Sequence, residues 1–219
     1  PNELRFYWTI FHFTCIIYAR LFSFFYLKEA KMRLCGLTSK YLFFITILFT
    51  LTMKNPAEAI DKENLIYLTL NYGQVDIELM PDIAPKHVKR IKKLVRQKFY
   101  DGLTFHRVIA GFMAQGGDPN GNGTGGSGKN IPAEFSDKPH VRGTLSMARS
   151  SDPNSADSQF FIVFAKAPHL DGNYTVWGKV IKGMKYVSKI KRGDPNQNGL
   201  VENPDKIISM RVAADLDKD

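Results

Sequence analysis

Three patterns in this chain have the residue types and spacing of chemical groups, and each loses its force in context. Gly121, Gly123 and Gly126 spell G-x-G-x-x-G, and Gly123 to Lys129 spell G-x-x-x-x-G-K, the spacings with which a loop can cradle phosphates. Both fingerprints need a helix opening at the glycines, so that its N-terminus faces the anion. Here the chain runs on to Ile131-Pro132, and Asn130 stands where a phosphate loop needs a magnesium-binding hydroxyl. Ser146, with a histidine and an aspartate from elsewhere, could serve acyl transfer, but no G-x-S-x-G turn surrounds it. His87, His106, His140 and His169 show no H-E-x-x-H or other close ligand spacing. The expectation is a protein without metal, nucleotide or other cofactor.

The elements that must position any site read clearly. Ile66, Leu68 and Leu70 alternate with their neighbours, as do Val75, Ile77 and Leu79 beyond Asn71 to Gly73, which predicts a β-hairpin. Pro85 opens a helix with Val88, Ile91, Leu94, Val95 and the stem of Lys98 on one face, ending near Phe99. Short apolar runs at 105–109, 112–115, 144–147, 160–164 and 176–181, with a last strand over 206–212, are separated by Gly, Pro, Asn and Asp. That punctuation suggests a closed barrel or a sandwich. A second helix over 183–190 would use Met184, Val187 and Ile190, and the glycine-rich stretch 116–130 reads as one long functional or mobile loop.

Composition bounds the class. The 219 residues, 44% of them hydrophobic, suffice for one well-buried domain with an end left over. The net charge of +9 could suggest nucleic acid, but residues 60–219 hold 23 basic and 18 acidic side chains and carry only +5. No basic stripe interleaves with aromatics there, so nucleic-acid binding is not expected. From Met32 a short basic stretch precedes the apolar block Tyr41 to Met53, followed by Ala57 and Ala59 in the positions of a signal-peptidase site. The block falls short of the ~20 residues that span a bilayer. Residues 32–59 are therefore expected to be a signal peptide cleaved after Ala59, residues 60–219 the mature domain, and residues 1–31 an extension of uncertain standing. Export to the periplasm or beyond follows from that reading, with no membrane span left after processing. Both cysteines, Cys15 and Cys35, precede the cleavage point, so no disulfide is expected.

Three ordered blocks are more specific than any glycine pattern: FHRVIAGFMAQGGDPNGNGTGG, GTLSMARSSDPNSADSQFFIVF and HLDGNYTVWGKV. In residue type, order and spacing they resemble the cyclophilin family of peptidyl-prolyl cis/trans isomerases, over about residues 64–212. The resemblance implies an eight-stranded antiparallel closed β-barrel capped by two α-helices, with the site on its outer face. It implies that Arg107 and Gln115 are catalytic, Arg107 through a hydrogen bond to the prolyl nitrogen and Gln115 near the substrate carbonyl. Phe112, Met113, Phe161 and Leu170 would form the proline pocket. Ala148 and Arg149 would line the approach to the preceding residue, with Gln159 and the 123–126 loop shaping the pocket beside it, while His106 would support Arg107. His169 and Tyr174, also at the substrate face, stand where many cyclosporin-sensitive relatives carry Trp and His, which implies weak cyclosporin binding. Arg149 stands where relatives often have Asn. The implied partners are proline-containing unfolded or partly folded polypeptides, met by a monomer. A module that only binds proline segments would need the apolar pocket but not the guanidinium, so Arg107 favours catalysis.

Overall fold

The computed structural model describes residues 61–218. The expected leader 32–59, the extension before it and Ile60 lie outside the described residues. The hairpin forms as its alternation requires: β1 (Leu65–Leu70) pairs antiparallel with β2 (Gly73–Leu79), with Ile66, Leu68, Val75 and Ile77 fully buried on one face. Helix α1 (Pro85–Arg96) starts at a proline whose missing N–H would have had no helical partner. Its N-cap, Ala84, offers no side-chain acceptor. Glu134 supplies the cap from another part of the chain, accepting the Lys86 and His87 backbone N–H groups at 3.1 and 3.0 Å. The buried face is His87, Val88, Ile91, Leu94 and Val95, but Lys98 is exposed with φ of 55°. The helix thus ends before Phe99 because the chain turns left-handed at Lys98.

Six more strands complete the sheet: β3 (Arg107–Ile109), β4 (Met113–Gly116), β5 (Thr144–Met147), β6 (Phe160–Val163), β7 (Val176–Lys182) and β8 (Ile207–Val212). Their order is β3-β4-β6-β5-β7-β2-β1-β8, every pair antiparallel. The expectation of a closed barrel is corrected here. The sheet is a curled half-barrel, with β3 and β8 as its two edges. No strand ladder joins them, because the chain entering β8 passes through left-handed Asn198, Gly199 and Asn203 and then Pro204. Isolated contacts lace the gap instead: Phe105 N–H to the Asp205 carbonyl at 2.9 Å, Ile207 N–H to Leu103 at 2.8 Å, and Val108 N–H to Gly199 at 2.8 Å.

Helix α2 (Met184–Val187) is shorter than the predicted 183–190. Gly183 precedes it at φ of 84°, where an added Cβ would lie 2.4 Å from the Gln74 carbonyl oxygen, so only glycine fits that approach. Beyond Val187 the chain tightens to i→i−3 bonds from Lys189 and Ile190. The apolar face is still as read: Val187 and Ile190 are buried and Met184 packs on the core. A 3-10 segment over Ala213–Lys218, with no sequence signal behind it, closes the domain. Among the described residues no helix is long and apolar enough to cross a membrane.

Two cores result from the alternation of β4 and β6. Ala114, Phe160 and Ile162 face the large interior, where Phe160 meets Tyr100, Phe105 and Trp177 edge-on. Met113, Phe161 and Val163 face the other way and form a second cluster with Ala167 and Leu170. Period two therefore builds both the barrel interior and an apolar site on its outside.

Candidate active site

The register of four strands sets one row of side chains across the outer face: Arg107 on β3, Gln115 on β4, Phe161 on β6 and Ser146 on β5. Every expected site residue lies on or beside this row. Met113, Phe161 and Leu170 are buried at the base of the second cluster, with Phe112, Ala148 and Tyr174 partly buried around them. The Tyr174 ring meets Phe161 edge-on at 5.8 Å, and exposed His169 lies 5.3 Å from Phe112.

Arg107 is held by neutral oxygens. Its Nε donates to the Asn198 carbonyl at 3.0 Å, Nη2 to Asn198 Oδ1 at 2.9 Å and Nη1 to Gln115 Oε1 at 3.1 Å. Of five guanidinium N–H groups, three are thereby fixed and two remain free to meet a ligand. Among the described residues no ion pair with a carboxylate neutralises it. Burial lowers its basicity below that of free arginine, opposed by Tyr174, yet a guanidinium stays charged at any working pH.

Gln115 passes the order onward. Having accepted from Arg107, it donates through Nε2 to Gln159 Oε1 at 3.0 Å, a bond that uses one of its two amide N–H groups. Gln159 in turn donates to the carbonyls of Gly123 and Gly125 at 3.0 and 2.8 Å, which ties the glycine-rich loop to the row. That loop is shaped by buried Asp118, which accepts backbone N–H groups from Asn120 and Asn122 at 2.9 and 3.0 Å and from Gly123. Burial pushes the Asp118 carboxyl up, but these N–H donors outweigh it and hold the group below its ordinary value. A cavity of about 340 Å3 opens between the loop, Gln115, Gln159, Ala148 and Arg149, beside the apolar cluster.

Arg149 lines that cavity, but its head turns aside. Nε and Nη2 donate to the Asn173 carbonyl at 3.2 and 3.0 Å, Nη1 donates to the Ser150 carbonyl at 2.8 Å, and the guanidinium sits 4.6 Å over the Tyr174 ring. It clasps the 169–174 segment to the 148–151 segment. His106 is buried, and its carbonyl accepts from Val201 N–H at 3.0 Å, which holds the strip carrying Asn198 against β3.

Asn198 escaped the sequence reading. Its signal was the Asn-Gly pair at 198–199, a left-handed turn marker, and Asn198 has φ of 54°. Nothing local connects that turn to an arginine 91 positions earlier.

Comparisons with known proteins bear on the family. The model of the family described as cyclophilin type peptidyl-prolyl cis-trans isomerase/CLD matches residues 65–212. The chain is 56% identical over 171 residues to a probable peptidyl-prolyl cis-trans isomerase of Brucella suis, covering 73% of this chain and 87% of that one. It is 45% identical over 139 residues to peptidyl-prolyl cis-trans isomerase B of Bacillus subtilis, covering 62% and 96%. Among solved structures, cyclophilin AquaCyp293 from Hirschia baltica superposes with a TM-score of 0.64 at 30% identity, over 71% of this chain and 76% of that one. A Cryptosporidium parvum cyclophilin-type isomerase, crystallised in the presence of the dipeptide Ala-Pro, gives 0.62 at 32% identity, over 68% and 98%. The chain belongs to the cyclophilin-type peptidyl-prolyl cis-trans isomerase family. It is a peptidyl-prolyl cis/trans isomerase.

Asn198 is expected to matter for that activity. Asn198→Gly keeps the left-handed backbone and the carbonyl acceptor but removes Oδ1, one of three oxygens fixing Arg107. Losing a hydrogen bond to a charged group corresponds to roughly a tenfold change. The expected result is a fall in kcat/KM of about three- to tenfold on a short Xaa-Pro peptide, with unchanged thermal unfolding; a rate within twofold of wild type contradicts the assignment.

Proposed function

We propose that the enzyme seats the pyrrolidine ring of its substrate in the Met113, Phe161, Leu170 and Phe112 pocket while Arg107 donates a hydrogen bond to the prolyl nitrogen as the amide twists. The barrier to be lowered, ~18–20 kcal/mol, exists because the nitrogen lone pair is delocalised onto the carbonyl. In the twisted state that lone pair localises on nitrogen and becomes an acceptor. A donor aimed there binds the transition state better than either planar form, and each ~1.4 kcal/mol of that difference gives about tenfold in rate. No covalent bond breaks, so the step calls for no nucleophile. The free amide N–H of Gln115 serves the substrate carbonyl side.

The observation that carries this reading is an unneutralised guanidinium with two spare N–H groups, in the same cross-strand row as the floor of an apolar pocket. A pocket that merely docked proline would have no use for it. Arg107→Ala should lower kcat/KM by about a hundredfold or more, the scale of removing one preorganised donor from a transition state. A coupled proline-peptide assay on residues 60–219 reads this, and equal rates for the variant and the wild type would remove the catalytic role.

The physiological substrates in this reading are proline-containing unfolded or partly folded polypeptides, met by a monomeric enzyme outside the cytoplasm. Export is supported by the apolar block Tyr41 to Met53 and the alanines at 57 and 59. N-terminal sequencing of the mature protein should begin at Ile60, and a start within residues 1–53 contradicts the leader. Weak cyclosporin binding belongs to the same reading. His169 is smaller than Trp, has less apolar area and stands exposed beside Phe112. His169→Trp is expected to tighten cyclosporin by about tenfold in a fluorescence titration, whereas an unchanged affinity refutes the role of this wall.

A further inference from the structure

Ser146, His140 and Asp171 fall into one hydrogen-bonded line. His140 Nδ1 lies 2.9 Å from Asp171 Oδ1, and its Nε2 lies 3.1 Å from Ser146 Oγ. The order of groups is that of a hydrolase triad. Yet Ser146 and His140 are both fully buried, and Ser146 Oγ also lies 2.8 Å from the Thr175 carbonyl. A hydroxyl sealed from substrate performs no acyl transfer. What the line does reach is the apolar pocket.

His140 touches that pocket at several points. Its ring lies nearly parallel to Phe161, at 21° and 6.2 Å between centroids. Its backbone carbonyl accepts from Ala167 N–H at 2.8 Å. Its backbone N–H and its Nδ1 both meet Asp171 Oδ1, the former at 2.7 Å, and Asp171 directly follows Leu170. Three of the five buried residues of the cluster are thus tied to this one residue: Phe161 through the imidazole ring, Ala167 through the His140 backbone carbonyl, and Leu170 through its neighbour Asp171.

The wall needs such a tether. Residues 165, 166, 168, 169, 172 and 173 are exposed, so the segment that carries Leu170 has little apolar burial of its own. Its grip on the body comes from the His140 bonds, from Arg149 to the Asn173 carbonyl, from the small Ala167 and the Leu170 side chain, and from the rings of His169 and Tyr174 against Phe112 and Phe161.

The protons fit a neutral ring. An ionised Asp171 only accepts, so Nδ1 carries the proton and Nε2 offers a lone pair to the Ser146 hydroxyl. The single Ser146 proton lies between two acceptors, the Thr175 carbonyl at 2.8 Å, to which the hydroxyl donates, and Nε2 at 3.1 Å. Burial pushes His140 below the ordinary histidine range despite Asp171, in keeping with this tautomer.

We propose that His140 is a positioning residue for the isomerase reaction: together with Asp171 and Ser146 it fixes the spacing between the Phe161 ring and the 167–171 wall, and so sets the slot that receives the pyrrolidine. The proposal rests on the reading of this cluster as the proline pocket. Arg107, Gln115 and Asn198 are left untouched by the tether, so loosening it weakens capture of the ring in ground and transition states alike. That is a KM effect with kcat preserved.

The test is steady-state kinetics of the full chain on a short Xaa-Pro peptide in a protease-coupled assay. The variants are Asp171→Ala, Asp171→Asn, His140→Phe, the Asp171→Ala/His140→Phe pair, and Phe161→Ala as a control on the pocket. Asp171→Ala and His140→Phe, the latter keeping the stack but losing the side-chain bonds, are expected to raise KM by about five- to tenfold with kcat within twofold. Asp171→Asn, which keeps an acceptor for His140, should stay within twofold of wild type. The double variant should be no worse than the more impaired single variant, since both cut one tether.

Three results would overturn the inference alone while Phe161→Ala raises KM: an unchanged KM in Asp171→Ala, an Asp171→Asn variant as impaired as Asp171→Ala, or a fall in kcat as large as the rise in KM. If Phe161→Ala itself leaves KM unchanged, the pocket assignment falls and the tether with it. Should His140→Phe fail to fold, the two Asp171 variants decide, because that side chain is 33% exposed and lies outside the core.

Discussion

A positive charge held in place by neutral oxygens keeps its field available to whatever arrives next. Arg107 is bound on three sides by carbonyl and amide oxygens of Asn198 and Gln115, which fix its plane without cancelling its charge. A carboxylate in their place would position the guanidinium equally well, but it would spend the potential on a permanent partner. Because the group is already oriented and half-buried, the proposed mechanism leaves it little to reorganise when an amide nitrogen turns into an acceptor. The rest of the fold maintains this arrangement.

Maintenance begins with strand register. Arg107, Gln115, Phe161 and Ser146 are successive cross-strand partners, so a single-residue slip in any of four strands would send one of them to the interior face. The same alternation that buries Phe160 among Tyr100, Phe105 and Trp177 turns Phe161 outward, and the large core thereby guarantees the small one. The open edge of the half-barrel has its own use. The strip from Asn198 to Val201 lies against β3 through Gly199 and His106, where a regular eighth-to-third strand ladder would have left no turn to embrace the arginine.

Local patterns made the hairpin, the first helix and most strands readable, because period two and period 3.6 need only a few neighbours to be visible. The second helix is shorter than its apolar face suggested, since i→i−3 turns can present Val187 and Ile190 on the same side. Barrel closure was misread for a different reason: whether β3 meets β8 depends on how residues far apart in sequence are brought together, and no local run encodes it. Three ordered blocks, through their resemblance, pointed to Arg107, Gln115 and the pocket residues, which the strands bring together on one outer face. The supports of the site were not legible. Asn198 lies 91 positions from Arg107, and Asp171 lies 31 from His140, distances at which spacing carries no information about contact. Arg149 lines the cavity, but no sequence pattern reveals that its head grips Asn173 and Tyr174 instead of pointing into the open space.

The central claim is that one guanidinium meets an imide nitrogen while a neighbouring apolar slot holds the ring. A crystal structure of the enzyme with a short Xaa-Pro peptide tests it most directly. The account predicts the pyrrolidine among Phe112, Met113, Phe161 and Leu170, with a free Arg107 N–H directed at the prolyl nitrogen. A ring bound elsewhere, or an Arg107 head swung away from the nitrogen with the peptide in place, would contradict it.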